Sequence, residues 1–162
     1  MIDTITSKIL TWETIPARLA HWRLQSNRLV FTNGCFDILH YGHIHYLAEA
    51  KALGDKLIVG INSAASVKRL KGEHRPINDK MTRQYLLAAL QFVDVVIAFE
   101  EDTPYDLIQL VQPDVLVKGG DWRPDQIVGS DIVLQKGGSV QSLAFVEGYS
   151  TTNIETKIKN SK

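Results

Sequence analysis

The sequence of 162 residues contains a single cysteine, carries no net charge and has no long apolar run. The lone Cys35 excludes an intramolecular disulfide and fits a reducing cytoplasm, which we take as the expected location. The balance of 18 cationic and 18 anionic side chains argues against a non-specific nucleic-acid binder. No stretch is apolar for long enough to cross a bilayer, and no signal-peptide core opens the chain, so we expect no membrane association.

What the chain does contain is an alternation of short apolar runs and stretches with helical spacing. The apolar runs predict five strands: Arg28 to Thr32, Lys56 to Ile61, Asp94 to Phe99, Asp114 to Lys118 and Ser139 to Phe145. Strands that alternate with helices predict an α/β fold, Rossmann-like and doubly wound. We therefore expect a mostly parallel five-stranded sheet with helices on both faces.

The N-terminal residues predict a helix from about Ser7 to Gln25, which Pro16 could split in two. We accordingly divide the chain into an N-terminal helical extension, residues 1–27, and one domain, residues 28–162. Near the other end, the pattern Thr152-Asn153-Ile154-Glu155 matches a capping box, so Thr152 is expected to cap a last helix.

The most informative segment runs from Phe31 to His43, where two histidines flank a glycine between a predicted strand and a predicted helix. Helix N-termini favour anions, and His40 and His43 would add donors that can be charged near neutral pH. Gly42 leaves room for a phosphate, and Asp37 could orient a histidine or hold a metal. A pair of capping histidines without a ligand is the alternative. A zinc site lacks a third and fourth ligand at suitable spacing.

Three further segments follow strands or open helices at the same predicted sheet edge. Cations between Lys68 and Arg75 could clamp a triphosphate or a sugar phosphate, although such a run is usually a solvated loop. Lys118 and the two glycines after it could touch a ligand, or form an ordinary turn. If Thr152 caps the last helix, Ser150 and Thr151 remain for a ligand. Arg83 could join the cations, its alternative being a surface charge on a helix.

These segments, in this order, resemble the cytidylyltransferase-like nucleotidyltransferases, whose signature is the His-x-Gly-His motif. Within that family the resemblance is closest to the adenylyltransferase domain of bacterial heptose biosynthesis. It covers roughly Arg28 to Ile158 and includes the segments Phe31 to His43, Arg69 to Pro76, Phe99 to Pro104, Leu116 to Asp121 and Ser150 to Ile154. In some bacteria this domain is fused behind a sugar kinase, whereas this chain resembles the stand-alone form. Ala64 departs from the subgroup, where an aspartate is frequent.

The resemblance implies transfer of AMP from ATP to D-glycero-β-D-manno-heptose 1-phosphate, which yields ADP-heptose for the lipopolysaccharide core. The implied catalytic residues are His40, His43 and Arg83. The expected nucleotide-binding residues are Thr32, Asn33, Gly34, Cys35, Phe36, His40, His43, Lys118, Gly120, Asp121, Ser150, Thr151 and Thr152. The expected sugar-phosphate-binding residues are Asp37, Lys68, Lys71 and Arg75.

The resemblance further implies Mg²⁺ bound to ATP, with no metal site made by the protein, and it allows a homodimer. One alternative is a cytidylyltransferase that acts on glycerol 3-phosphate or a similar alcohol phosphate. Another is a nucleotide-binding regulatory module that has lost catalysis.

Overall fold

The structure, a computed structural model, describes residues 1–161. Within this range six parallel strands form one sheet in the order β1-β4-β3-β2-β5-β6. The strands are β1 Ile9–Leu10, β2 Leu29–Gly34, β3 Lys56–Asn62, β4 Val95–Phe99, β5 Val115–Gly119 and β6 Ser139–Leu143. The helices are α1 Ile2–Thr6, α2 Ile15–Leu24, α3 Tyr41–Lys51, α4 Ala64–Lys71, α5 Lys80–Ala88, α6 Tyr105–Val111, α7 Ser130–Gln135 and α8 Thr151–Asn160, with a 3-10 turn at Pro124–Gln126.

Two apolar clusters cover the two faces of the sheet, as a doubly wound fold requires. Because successive strand residues point to opposite faces, Val30 and Phe31 of β2 belong to different clusters. Phe31 packs in the cluster that contains Leu19 of α2, and Val30 packs with Leu47 of α3 and Leu87 of α5. The predicted α/β architecture with helices on both faces is confirmed.

The direction in which successive strands are added to the sheet changes between β2 and β5. From β2 it passes to β3 and β4 on one side, and it then returns to β5 and β6 on the other. In open α/β sheets the crevice at such a switch point, beyond the carboxyl ends of the strands, is where ligands bind. The segments that follow β2 and β5 meet at this place.

The prediction of five strands was wrong, because a sixth strand lies inside the helix predicted from Ser7 to Gln25. Ile9 and Leu10 pair with Val96 and Ile97 of β4 at the edge of the sheet. A two-residue strand is too short to produce a visible alternation, and the apolar residues after it mimic a longer helix. The helix begins only at Ile15, where Pro16 occupies the first turn, a position that tolerates proline.

The N-terminal residues contribute to the same core as the strands. Ile15, Leu19 and Trp22 of α2 are buried against residues of the sheet. Throughout residues 1–161, no helix has the length and apolar character needed to cross a membrane.

Candidate active site

A cavity of about 630 Å³ opens at the switch point between β2 and β5. Its walls come from the loops after β2, β4, β5 and β6 and from the segment around α4. The cavity brings together most of the predicted site residues, although they are distant in sequence. Those on its wall are Asn33, Gly34, Cys35, Phe36, Asp37, His40, His43, Lys71, Arg75, Lys118, Ser150, Thr151 and Thr152.

His40 and His43 form a stacked pair at the start of α3. Their ring centroids lie 3.9 Å apart with an interplanar angle of 25°, and the Phe36 ring meets His43 edge-on at 5.3 Å. His40 is the N-cap residue in extended backbone conformation, and its side chain makes no capping hydrogen bond. The first N–H groups of α3 therefore keep their capacity to bind an anion.

Gly42 is closely approached by the side chains of His40 and Tyr149. A Cβ at this position would lie 3.0 Å from His40 Cε1 and 3.2 Å from the Cβ of Tyr149. A side chain at residue 42 would therefore require His40 or Tyr149 to shift by a few tenths of an ångström. That this glycine leaves room for a phosphate stays a prediction.

The surroundings of both histidines favour the neutral ring in the free protein. Burial lowers the pKa of His43 to about 4, with a further lowering by His40 and an opposing contribution from a hydrogen bond to the backbone of Ile38. Burial also lowers the pKa of His40. The Nδ1 atoms of both rings are buried and, among the described residues, have no hydrogen-bond partner.

Two lysines add positive charge to the cavity. Lys118, the penultimate residue of β5, lines the cavity, and its Nζ lies 5.1 Å from the ring centroid of Trp122. Burial lowers the pKa of Lys118, and the nearby Lys71 cation lowers it further. Two like charges near one another favour the binding of an anion between them.

Asp37 braces the loop that precedes α5. The sequence had suggested two other roles for it, orienting a histidine or holding a metal. Its two carboxylate oxygens accept backbone N–H groups from Ile77 and Asn78, each at 2.8 Å. Arg75 Nη1 lies 3.1 Å from Asp37 Oδ2 and 3.2 Å from Glu155 Oε1. Arg75 lines the cavity but is already engaged by two carboxylates, so a sugar phosphate would have to compete with them.

Arg83 is completely buried, so the alternative of a surface helix charge is wrong. Its Nη1 donates to the carbonyl oxygens of Cys35 (2.9 Å) and Asn62 (2.7 Å), and its Nε donates to that of Asn78 (3.2 Å). The side chain lies behind the cavity wall and ties together the segments after β2, after β3 and before α5. In this arrangement Nε and Nη1 donate to backbone carbonyls, whereas the buried Nη2 has no hydrogen-bond partner among the described residues.

Four other predicted residues also lie outside the cavity wall: Thr32, Lys68, Gly120 and Asp121. Thr32 is buried in β2, where its hydroxyl bonds that of Tyr46. Lys68 and Asp121 are exposed to solvent, and Gly120 adopts a φ of 111° in the turn after β5. Within the described chain, none of these four residues contributes to the cavity wall.

Comparison with known proteins places this arrangement in a family. Residues 31–157 match the family described as Cytidylyltransferase-like. The chain belongs to the cytidylyltransferase-like family. As a member of that family it is a nucleotidyltransferase.

Curated relatives share most of this chain but are much longer. The chain is 59% identical over 136 residues to the bifunctional protein HldE of a Nitratiruptor species, which covers 84% of this chain and 29% of that protein. It is 51% identical over 154 residues to the bifunctional protein HldE of Wolinella succinogenes, which covers 95% of this chain and 32% of that protein. The chain thus spans about three tenths of the length of these relatives.

Solved structures agree with the fold. A lipopolysaccharide core biosynthesis protein from Thermoplasma volcanium is 32% identical, with a TM-score of 0.59 over 76% of this chain and 99% of its own. The pantoate-beta-alanine ligase from Francisella tularensis is 17% identical, with a TM-score of 0.60 over 93% of this chain and 76% of its own. The latter likeness supports the fold alone.

In this cytidylyltransferase-like chain, the cap of the last helix differs from the prediction. Ser150, not Thr152, is the N-cap residue of α8, and its hydroxyl accepts the backbone N–H of Asn153 at 3.0 Å. The expected box is absent: Ser150 caps the helix instead of Thr152, and Glu155 pairs with Arg75. Thr151 and Thr152 therefore lie in the first turn of α8, on the cavity wall.

Sequence reasoning assigned no ligand to two segments of the wall. Residues 102–104 follow β4, and residues 145–146 follow β6. Both segments stand at carboxyl ends of parallel strands, so the general rule on ligand positions in such sheets could have found them. Phe145 was instead placed within the last predicted strand, which ends at Leu143 in the structure.

Proposed function

We propose that this chain transfers AMP from ATP to D-glycero-β-D-manno-heptose 1-phosphate, which yields ADP-heptose and pyrophosphate for lipopolysaccharide core synthesis. The observation that carries this proposal is the convergence of the histidine pair, Lys71 and Lys118, and the first turn of α8 on one cavity. The name of the Thermoplasma relative, a lipopolysaccharide core biosynthesis protein, supports the choice of pathway. The resemblance to heptose adenylyltransferase domains supports the choice of ATP and heptose.

The proposed reaction is a displacement at the α-phosphorus of ATP. A phosphate oxygen of the sugar phosphate forms a bond to that phosphorus, the bond to the bridging oxygen of the β-phosphate breaks, and pyrophosphate leaves. Because no covalent enzyme intermediate is required, the protein acts by positioning the reactants and stabilising the developing charge. His40, His43 and the uncapped start of α3 are suited to the triphosphate. Lys118 and Lys71 add positive charge. Their attraction for the triphosphate would be stronger in a site from which water is excluded.

Magnesium fits this scheme as a companion of the nucleotide. Residues 1–161 contain no group of three or more His, Cys, Asp or Glu side chains arranged to hold a metal ion. Asp37, a carboxylate on the cavity wall, is occupied by backbone N–H groups and Arg75. We therefore propose that Mg²⁺ enters with ATP, held by phosphate oxygens and water, and neutralises charge on the triphosphate.

A matrix of nucleotides against acceptors tests the proposal directly. Pyrophosphate release would be measured for ATP, CTP and GTP, each with heptose 1-phosphate, glycerol 3-phosphate and FMN. We expect turnover for ATP with heptose 1-phosphate. Turnover with CTP and glycerol 3-phosphate, but not with ATP, would favour the alternative cytidylyltransferase. Tight nucleotide binding without turnover of any pair would favour a regulatory module.

A further inference from the structure

Phe145 presents an unusually exposed aromatic ring beside the cavity. It follows β6, is 71% exposed, and lies on the cavity wall together with Val146, Ile127 and Val128. A large apolar ring gains free energy when it is removed from water, and its flat face is suited to another flat group. Nothing in the proposed reaction so far uses this side of the cavity.

Gly119 and Gly120 leave the space that the Phe145 ring occupies. A Cβ at Gly119 would lie 2.8 Å from Phe145 Cε1, and a Cβ at Gly120 would lie 3.2 Å from Phe145 Cε2. Trp122 closes the other side of the turn, because its Nε1 donates to the Gly119 carbonyl at 3.2 Å and would lie 3.0 Å from a Cβ at Gly120. The double glycine therefore makes room for Phe145 rather than exposing backbone alone.

The distance between the Phe145 ring and the histidine pair suits a nucleotide. The histidine pair follows β2, and Phe145 follows β6, with β5 between them in the sheet. Two strand spacings of about 4.8 Å separate these elements by about 10 Å, which one nucleoside phosphate can bridge. Lys118, at the end of the intervening β5, lies between the two ends of the cavity.

We propose that Phe145 is the stacking platform for the nucleobase and that its wide, uncovered face makes the site favour purines over pyrimidines. This inference rests on the proposed function, since it assumes that the cavity binds a nucleoside triphosphate. Base–aromatic stacking is sensitive to removal of the ring, and a purine offers the larger face.

The test compares ligands with and without a base. Dissociation constants of ATP, CTP and inorganic tripolyphosphate would be measured by calorimetry, without acceptor, for the wild type and for Phe145→Ala, Phe145→Tyr and Leu134→Ala. Phe145→Ala should weaken ATP binding by about tenfold or more, weaken CTP binding less, and leave tripolyphosphate binding unchanged. Phe145→Tyr, which keeps the ring, should restore ATP binding. Leu134 is an exposed apolar residue away from the cavity wall, so its variant should match the wild type.

The outcomes separate the inference from the proposed function. Equal losses for ATP and tripolyphosphate would show a merely structural effect and overturn the inference, as would unchanged ATP binding in Phe145→Ala. If the wild type forms ADP-heptose while Phe145→Ala binds ATP normally, only the inference fails. If ATP binding depends on Phe145 while heptose 1-phosphate is not turned over, the inference stands and the proposed acceptor fails.

Discussion

The imidazole rings of His40 and His43 lie nearly parallel, with their centroids 3.9 Å apart, on either side of Gly42 in the sequence. Two protonated rings so close would repel each other, and burial penalises each charge. Both effects favour the neutral rings in the free protein, and a bound anion would favour their protonated forms. This coupling between ligand and proton leads to the first prediction.

Nucleotide binding should take up a proton at His43. The pKa of His43 is about 4 in the free protein, so the ring is neutral at pH 7. A bound triphosphate favours the protonated ring and raises its pKa, so the bound state holds more protons at any pH between the two pKa values. Affinity should therefore rise as the pH falls through that window and level off below about 4. Calorimetry at about pH 6 in buffers of different ionisation enthalpy would measure the uptake.

A His43→Asn variant serves as the control for this measurement. Asparagine keeps a donor but cannot be protonated, so proton uptake that persists in the variant belongs to the phosphates themselves or to His40. The difference between the two proteins isolates His43. Identical uptake in both proteins would contradict the prediction.

Removing the His43 ring should impair chemistry while leaving the fold intact. His43→Ala should lower kcat by several powers of ten, each worth about 1.4 kcal/mol of barrier. The ring lies in the first turn of α3 on the cavity wall, so its loss should leave the melting temperature nearly unchanged. His45 offers a matched control, because it is exposed on the same helix, where it pairs with Glu49 at 3.3 Å and lies beside the Tyr41 ring. A kcat in His43→Ala equal to that of His45→Ala would refute the catalytic role.

The central sheet could be predicted because its strands are buried runs of branched apolar residues. Val95 to Phe99, for example, is buried on both faces, apart from the half-buried Ala98, and forms a continuous apolar run. The edge strand at Ile9 and Leu10 gives no such signal, since two residues cannot show a period. The predicted cap failed because Ser150 and Thr152 both carry hydroxyls, so residue type alone does not decide which of them caps the helix.

The histidine pair and Lys118 could be located on the cavity from sequence because each follows a strand directly. Arg83 could not, since its position depends on carbonyl groups of Cys35, Asn62 and Asn78. These groups come from three separate segments and meet only in the folded chain. Local spacing carries no information on such a convergence.

Gly42→Ala should lower turnover at little cost to stability. The added Cβ would lie 3.0 Å from His40 Cε1 and 3.2 Å from the Cβ of Tyr149, so one of these side chains must shift by a few tenths of an ångström. Alanine is otherwise favourable in a helix, which limits the loss of stability. Steady-state kinetics and thermal unfolding would be measured together. A variant with wild-type kcat would show that the stacked arrangement is dispensable.

Gly137→Ala offers a contrast, because that glycine has open space around it but a φ of 83°, so its substitution should cost stability and spare activity.

Replacing Arg83 should cost stability before it affects chemistry. Arg83→Ala would leave three buried or half-buried carbonyl oxygens without their donor, each worth about 1–3 kcal/mol, so the free energy of unfolding should fall by several kcal/mol. Lys80→Ala is the control, since Lys80 is exposed at the start of the same helix and its loss should be nearly neutral. Denaturant unfolding would give the free energies, and ATP titrations of the folded variants would give KM.

The family resemblance implies instead that Arg83 reaches phosphate. A variant as stable as the wild type but with a strongly raised KM for ATP would support that role, and the brace that Arg83 forms between the three segments would then be incidental.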